Sequence, residues 1–143
     1  MANILVIDDE PFLLDLICTV LKLDGHNVRA ICDTLSELNS LKTLPPVDLL
    51  LTDIKMKPIS GFEIVKRLAK LGFDRPVIFT SGYPAEYWAA VEGKQDLEIL
   101  EKPFTAAELR AAVANAMAKT TRKPAKRKAI AATAKSRTTS MAG

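Results

Sequence analysis

Five short apolar runs, each followed by a segment with helical periodicity, constrain the fold of this chain more than any other feature of its sequence. The runs occupy residues 3–7, 28–31, 47–52, 76–80 and 97–100. The runs are short and mostly apolar, as expected of strands whose two faces are both covered by helices. We therefore predict an α/β fold, in which right-handed crossovers connect a doubly wound, five-stranded parallel sheet.

The segments between the runs carry signals for helices. These segments cover residues 11–24, 34–41, 60–72, 84–91 and 105–117. Pro11 suits the first turn of a helix, where the missing N–H group has no partner to lose. Ser60 with Glu63, and Thr105 with Glu108, have the spacing of a capping box, in which each side chain binds the backbone N–H of the other residue.

Charge divides the chain into two parts. Residues 1–118 hold 12 basic and 17 acidic residues, a net charge of −5, whereas residues 119–143 hold 8 basic residues and no acidic one. The second part has no aromatic residue either, so it cannot bury enough surface to order itself. We predict a folded domain over 1–118 and a disordered tail over 119–143. The tail would be either a solubilising extension or a weak, salt-sensitive binder of nonspecific DNA.

The sequence also bears on the compartment of the protein. No apolar run approaches the roughly 20 residues that a membrane-spanning helix needs, and the first residues lack the basic leader of a signal peptide. Cys18 and Cys32 lack C-x-x-C spacing, so the pattern predicts neither a disulfide framework nor a zinc site. We expect a cytoplasmic protein without a membrane partner, in which both cysteines pack as small apolar residues.

Polar residues stand at the ends of four of the five predicted strands. They are Asp8 and Asp9 after the first strand, Asp53 after the third, Thr80 at the end of the fourth and Lys102 after the fifth. In a parallel sheet the ligand site lies where the carboxyl ends of the strands meet, so we expect these side chains to converge. Three clustered carboxylates repel one another unless a cation joins them, and Mg²⁺ prefers such oxygen ligands.

A cluster of this kind suits phosphoryl transfer, which requires mainly positioning and the neutralisation of charge. Asp53 would act as the nucleophile and form an acyl phosphate. Lys102 and the hydroxyl of Thr80 would bind the other phosphoryl oxygens.

Two other classes of protein fit the pattern less well. An enzyme of the haloacid-dehalogenase type has its nucleophile and a second acid two residues apart after the first strand, whereas the acids here are adjacent. A flavodoxin-like cofactor binder cradles a phosphate in the loop after the first strand. Residues 8–10 are all acidic and would repel that phosphate.

Four motifs, in this order, resemble those of the two-component response-regulator receiver domain of the chemotaxis-regulator type. They are Asp8-Asp9-Glu10, Asp53, Thr80-Ser81-Gly82 and Lys102-Pro103-Phe104, and the resemblance covers about residues 2–118. It implies a flavodoxin-like (βα)5 receiver fold. It also implies that Asp53 is the phosphoacceptor, that Thr80 is the switch hydroxyl and that Lys102 contacts the phosphoryl group.

The same resemblance implies a Mg²⁺ site and a signalling function. Asp9 would bind the metal directly and Asp8 largely through water, while Asp53 and the backbone carbonyl of Lys55 would complete the protein ligands. A sensor histidine kinase or a histidine phosphotransfer protein would supply the phosphoryl group.

The domain would then signal to a downstream protein through its fourth helix, fifth strand and fifth helix. Such a protein is a phosphoacceptor that takes part in its own phosphotransfer and dephosphorylation, rather than an enzyme. The alternative function is a phosphorylation-regulated, nonspecific nucleic-acid binder that acts through the basic tail.

Two positions depart from the family pattern. A Met-Pro pair commonly follows the phosphoacceptor after two residues, but here Lys57 separates the methionine from Pro58. Ile99 stands where the family usually has Tyr or Phe, a ring that rotates inward when the switch hydroxyl moves. Tyr83 and Trp88 are the candidates to replace that ring, and packing is the alternative role for both.

Overall fold

Residues 1–93 and 97–122 are described by a computed structural model of the chain. The strands are β1 (Asn3–Ile7), β2 (Asn27–Ile31), β3 (Leu49–Asp53), β4 (Val77–Ser81) and β5 (Ile99–Glu101). The helices are α1 (Pro11–Leu23), α2 (Thr34–Ser40), α3 (Gly61–Ala69), α4 (Ala85–Glu92) and α5 (Ala106–Arg122). All neighbouring strands pair in parallel, in the order β2-β1-β3-β4-β5. The doubly wound five-stranded parallel sheet predicted from the sequence is confirmed.

Helices cover both faces of the sheet because alternate residues of each strand point to opposite sides. The core on one face joins the strands to α1 and α5 and contains Ile4, Val6, Ile17, Leu51, Leu109 and Val113. The core on the other face joins the strands to α2 and α3 and contains Leu5, Ile7, Leu38, Leu50 and Ile64. A smaller cluster, which includes Phe79 and Trp88, joins β4 to α4.

The order of the strands reverses at β1, which has β2 on one side and β3 on the other. A crevice forms at such a point, at the carboxyl ends of the strands, because the chain leaves the sheet in opposite directions from the two neighbouring strands. The register pairs Ile7 with Thr52, and Asp53 with Thr80. The ends of β1, β3 and β4 therefore reach the same edge of the sheet, and so do the residues that follow them.

The observed strands differ from the predicted ones by no more than two residues at either end. The largest differences are at the starts of β3 and β5, where Val47 and Leu97 were predicted to lie in strands. Both side chains are partly buried against a core. Packing therefore explains their apolar character, although neither residue lies in its strand.

The prediction that the last helix ends near residue 117 is wrong, because α5 continues to Arg122. It passes the domain boundary that the sequence placed at residue 118. Lys119 forms an ion pair with Glu98, and positive charge near the carboxyl end of a helix is favoured by the helix dipole. The predicted disorder and DNA binding of the tail concern mainly residues 123–143, which lie outside the described residues.

Both cysteines pack against the apolar core, as the sequence predicts. Cys18 is buried and Cys32 is partly buried, and both pack with the core beside α1 and α5. Their packing as small apolar residues is thus confirmed.

None of the helices in the described part of the chain has the length and apolar character of a membrane span.

Both predicted N-terminal caps are present. The Ser60 hydroxyl accepts a hydrogen bond from the backbone N–H of Glu63 at 3.2 Å. At the start of α5 the capping box is reciprocal: the Thr105 N–H donates to the Glu108 carboxylate at 2.8 Å, and the Glu108 N–H donates to the Thr105 hydroxyl at 3.0 Å.

We expect Thr105→Ala to lower the free energy of unfolding by about 1 kcal/mol, because it leaves an N–H group at the start of α5 without its side-chain acceptor. Urea denaturation measures the change. Thr43→Ala, at an exposed position outside any helix, is the control and should have a smaller effect. Equal effects of the two substitutions would show that the capping box contributes nothing to stability.

Candidate functional site

Three carboxylates meet at the carboxyl edge of the sheet. Asp8 and Asp9 directly follow β1, and Asp53 is the last residue of β3. One oxygen from each lies within 4.8 Å of the others. Asp8 and Asp53 are buried, whereas Asp9 is exposed. The convergence predicted from the strand ends is therefore present, and it places two ionisable acids where water cannot solvate them fully.

Lys102 supplies the positive charge of this cluster. Its Nζ lies 3.2 Å from Asp53 Oδ2, 3.5 Å from Asp8 Oδ2 and 3.5 Å from Glu10 Oε1. The backbone N–H of Lys102 donates to the carbonyl of Ser81 at 2.7 Å, which ties the end of β5 to the end of β4. One ammonium thus faces several carboxylates and neutralises only part of their charge.

Burial controls the protonation of the acids. Loss of solvent raises the pKa of Asp8 from 3.8 to about 6, even though the Glu10 N–H and Lys102 both act to lower it. Burial likewise raises the pKa of Asp53, again against the effect of Lys102. For Lys102, burial would lower the pKa, but the carboxylates of Asp8 and Asp53 prevail and raise it. Ionising all the acids together is therefore costly unless further positive charge is present.

The donor set fits a small divalent cation. Oδ1 of Asp8 accepts the Glu10 N–H at 2.8 Å. Oδ2 of Asp8 is enclosed and has no hydrogen-bond partner among the described residues. A hard cation such as Mg²⁺ takes oxygen ligands of this kind and keeps several waters, for which the exposed side of Asp9 leaves room. Lys55, the other predicted contributor, lines a cleft beside Asp9 together with Met56 and Ser60.

Two adjacent hydroxyls end β4, and they differ in environment. Thr80 is level with Asp53 in the register, is fully buried and has no hydrogen-bond partner for its hydroxyl within the described part of the chain. Ser81 lies one residue nearer the edge. Its hydroxyl accepts the Tyr83 N–H at 2.9 Å and the indole N–H of Trp88 at 2.8 Å. The sequence singled out Thr80, but both hydroxyls are candidates to bind an oxyanion on Asp53.

Gly61 is a site residue that the sequence analysis missed. A Cβ atom at this position would collide with the backbone carbonyl oxygen of Asp53, and the Gly61 N–H donates to the carbonyl of Ile54 at 2.9 Å. The loop between β3 and α3 therefore closes tightly over the end of β3. The only sequence signal was a glycine directly after the helix cap Ser60. Within this loop the Lys57–Pro58 peptide is cis.

Glu10 is a second site residue that the sequence did not reveal, because the sequence shows that it is acidic but not which cation it contacts. Its carboxylate reaches the ammonium of Lys102 from the chain segment between β1 and α1. Sequence separation hides such a pair, since its members are 92 positions apart.

The sequence model of the response regulator receiver domain matches residues 4–114. The chain belongs to this family. The match covers the five strands, apart from the first residue of β1, and about half of α5. It therefore includes every residue of the carboxylate cluster and Lys102.

Known proteins agree with this assignment. A response regulator receiver domain protein from Clostridium thermocellum is 32% identical, with a TM-score of 0.71, covering 85% of this chain and 98% of its own. A receiver protein from Sinorhizobium medicae is 33% identical, with a TM-score of 0.67, covering 80% of this chain and 92% of its own. The response regulator SaeR of Staphylococcus epidermidis is 30% identical in an alignment of 113 residues that covers 76% of this chain and 47% of that protein. The receiver domain thus spans about half the length of the curated relatives it matches.

The raised pKa of Asp8 predicts how stability depends on pH without metal. Because the folded pKa of about 6 exceeds the ordinary 3.8, the fold favours the protonated acid, and stability falls as the pH rises through 6. With a chelator present, Asp8→Asn should raise the free energy of unfolding above about pH 7 by up to roughly 3 kcal/mol. Near pH 4 the gain should be small.

Urea denaturation across this pH range measures the difference between the two proteins. Asp15→Asn, at an exposed position on α1, is the matched control and should change little at any pH. A gain from Asp8→Asn that is the same in acid and at neutral pH would contradict a raised pKa at this carboxyl.

Proposed function

We propose that this receiver domain is a phosphoacceptor, in which Asp53 receives a phosphoryl group from a sensor histidine kinase or a histidine phosphotransfer protein. The observation that carries the proposal is the setting of Asp53. Its carboxylate is nearly enclosed at the end of β3, with Lys102 Nζ at 3.2 Å and the carboxylates of Asp8 and Asp9 beside it. A group that binds and positions a phosphoryl oxygen is thus already in contact with the nucleophile.

The reaction transfers phosphorus from nitrogen to oxygen. A carboxylate oxygen of Asp53 attacks the phosphorus, the P–N bond to the donor histidine breaks, and the histidine nitrogen keeps the electron pair and takes up a proton. An acyl phosphate remains on Asp53. Lys102 offsets the negative charge of the phosphoryl oxygens during the transfer. Hydrolysis of the acyl phosphate returns the domain to its first state, so it takes part in its own phosphotransfer without being an enzyme that acts on a separate substrate.

A Mg²⁺ ion would be held by Asp8, Asp9 and Asp53, with the backbone carbonyl of Lys55 as a further ligand. When bound, it would neutralise the acids and polarise a phosphoryl oxygen. The enclosed Oδ2 of Asp8 and the oxygen-only donor set support this assignment. Asp9, at the exposed side of the cluster, is best placed for direct contact with a hydrated ion.

A hydroxyl of β4 would bind another phosphoryl oxygen, and Thr80 is the residue assigned by sequence. Its buried hydroxyl has no partner among the described residues, so a phosphoryl oxygen would satisfy it. The surface of α4, β5 and α5 would then present the change to a downstream protein in the cytoplasm. Tyr83, Tyr87 and Val91 are exposed in or next to α4 and give that surface apolar contact area.

Asp53→Ala should abolish phosphorylation, because it removes the nucleophile. We expect the wild type to gain the mass of one phosphoryl group on incubation with acetyl phosphate and Mg²⁺, and the variant to gain none. Intact mass spectrometry measures the adduct. Asp15→Ala, with its exposed carboxylate on α1, should label like the wild type. Full labelling of Asp53→Ala would place the phosphorylated residue elsewhere.

Asp9→Ala tests the metal site separately from the phosphoryl group. Because it relieves repulsion among the three acids, it should raise the melting temperature of the metal-free protein. It should also remove the stabilisation by Mg²⁺, which for the wild type would reach about 2.7 kcal/mol at a hundredfold excess over the dissociation constant. Thermal unfolding with and without Mg²⁺ measures both effects. A wild-type response of Asp9→Ala to Mg²⁺ would show that the metal binds elsewhere.

A further inference from the structure

A buried hydrogen bond links the end of β4 to α4. The indole N–H of Trp88 donates to the Ser81 hydroxyl at 2.8 Å, and the two residues are only 6% and 2% exposed. Trp88 is the one tryptophan of the chain. Ser81 in turn is bound to the neighbouring strand end, since its carbonyl accepts the N–H of Lys102 at 2.7 Å.

The position of α4 depends strongly on this side chain. Among the eight residues of Ala85–Glu92, all within the described part of the chain, Trp88 alone is buried. Its ring packs edge-on against Phe62 and Tyr87, with centroids 5.7 Å and 4.9 Å away. Because α4 has no other buried side chain, a displacement of Trp88 would displace the helix as well.

The hydroxyl of Ser81 is the acceptor in both of its hydrogen bonds. It accepts two N–H groups, from Tyr83 and from Trp88, which occupy both acceptor sites of a hydroxyl. Within residues 1–93 and 97–122, no group accepts a hydrogen bond from this hydroxyl. A hydroxyl in this state has one donor left for an incoming oxygen.

Ile99 adds to the importance of the indole. It is only partly buried and packs against the cluster that contains Trp88 and Phe79. The side chain of an isoleucine has no polar atom and no ring. It therefore cannot form a hydrogen bond with a hydroxyl and move together with it. The Trp88 N–H is a polar side-chain link that runs from β4 to the helix next to it.

We propose that Trp88 is the positioning residue that couples the phosphorylated site to α4, through its hydrogen bond to Ser81. The inference rests on the proposed function, because it takes phosphorylation of Asp53 as the trigger. A phosphoryl group there draws in the end of β4, where the Ser81 hydroxyl donates a hydrogen bond to a phosphoryl oxygen. The indole follows its acceptor, and α4 moves with the indole.

The test compares variants of the two bonded residues after phosphorylation. Trp88→Phe keeps a ring in the cluster but removes the N–H donor, whereas Tyr87→Phe changes a half-exposed neighbour on the same helix and serves as control. Each protein is treated with acetyl phosphate and Mg²⁺, and intact mass gives the phosphorylated fraction. Amide exchange of residues 84–93 is then compared between phosphorylated and free protein.

We expect the wild type and Tyr87→Phe to show a phosphorylation-dependent change in exchange at α4, and Trp88→Phe to lose it at the same phosphorylated fraction. An undiminished change in Trp88→Phe would overturn the inference. No adduct on the wild type would overturn the proposed function, and this inference with it. An adduct on the wild type without a change at α4 would overturn this inference alone.

Ser81 gives a second test that keeps the tryptophan as a fluorescent reporter. Phosphorylation should shift the Trp88 emission in the wild type and in Ser81→Thr, which retains a hydroxyl. It should leave the emission of Ser81→Ala unchanged at an equal phosphorylated fraction. Loss of the shift in both variants would reduce Ser81 to a packing role, and an intact shift in Ser81→Ala would show that its hydroxyl is not the link. Either result would overturn the proposal.

Discussion

The repulsion among the carboxylates of Asp8, Asp9 and Asp53 is the constraint on which the rest of the structure depends. Parallel strands deliver all three to one edge, and burial denies two of them full solvation. Lys102 offsets part of this charge from β5, but one ammonium cannot balance several acids. The acids therefore carry more negative charge than Lys102 neutralises, and a bound cation would neutralise the remainder. A phosphoryl group on Asp53, as we propose, would change the same balance of charge at the ends of the strands that meet there.

The two faces of the sheet are suited to different tasks. On the face of α1 and α5, large aliphatic residues such as Ile17 and Leu109 are almost completely enclosed, and close-packed contacts of this kind resist displacement. On the other face, α4 rests on Trp88 alone among its buried side chains. A helix held by one buried side chain belongs to the part of a fold that rearranges at a low cost in free energy. The close-packed face is therefore suited to hold the acids in place, and α4 is the helix that our proposal assigns to the response.

Sequence and structure agree most closely where local physics decides. The capping box of Thr105 and Glu108 forms because its partners lie three residues apart. The sequence underestimated α5, since an ion pair between Lys119 and the distant Glu98 cannot be read from helical periodicity. Gly61 was overlooked for a similar reason: only the closed loop shows that the carbonyl of Asp53 occupies the space of its missing side chain.

The sequence by itself determined the alternation of strands and helices and the residues that end each strand. In a parallel sheet these are sufficient to bring Asp8, Asp9, Asp53 and Lys102 to one edge, because every strand runs in the same direction. Only the tertiary structure decided which carboxylate oxygens are enclosed and that burial raises the pKa of Asp8 and Asp53. It also decided that Trp88 forms a hydrogen bond with Ser81. Those properties depend on solvent exclusion and on distances of a few ångströms between distant residues. Hydrophobic patterning cannot specify either, because it fixes which face of an element is buried and not which polar atoms meet.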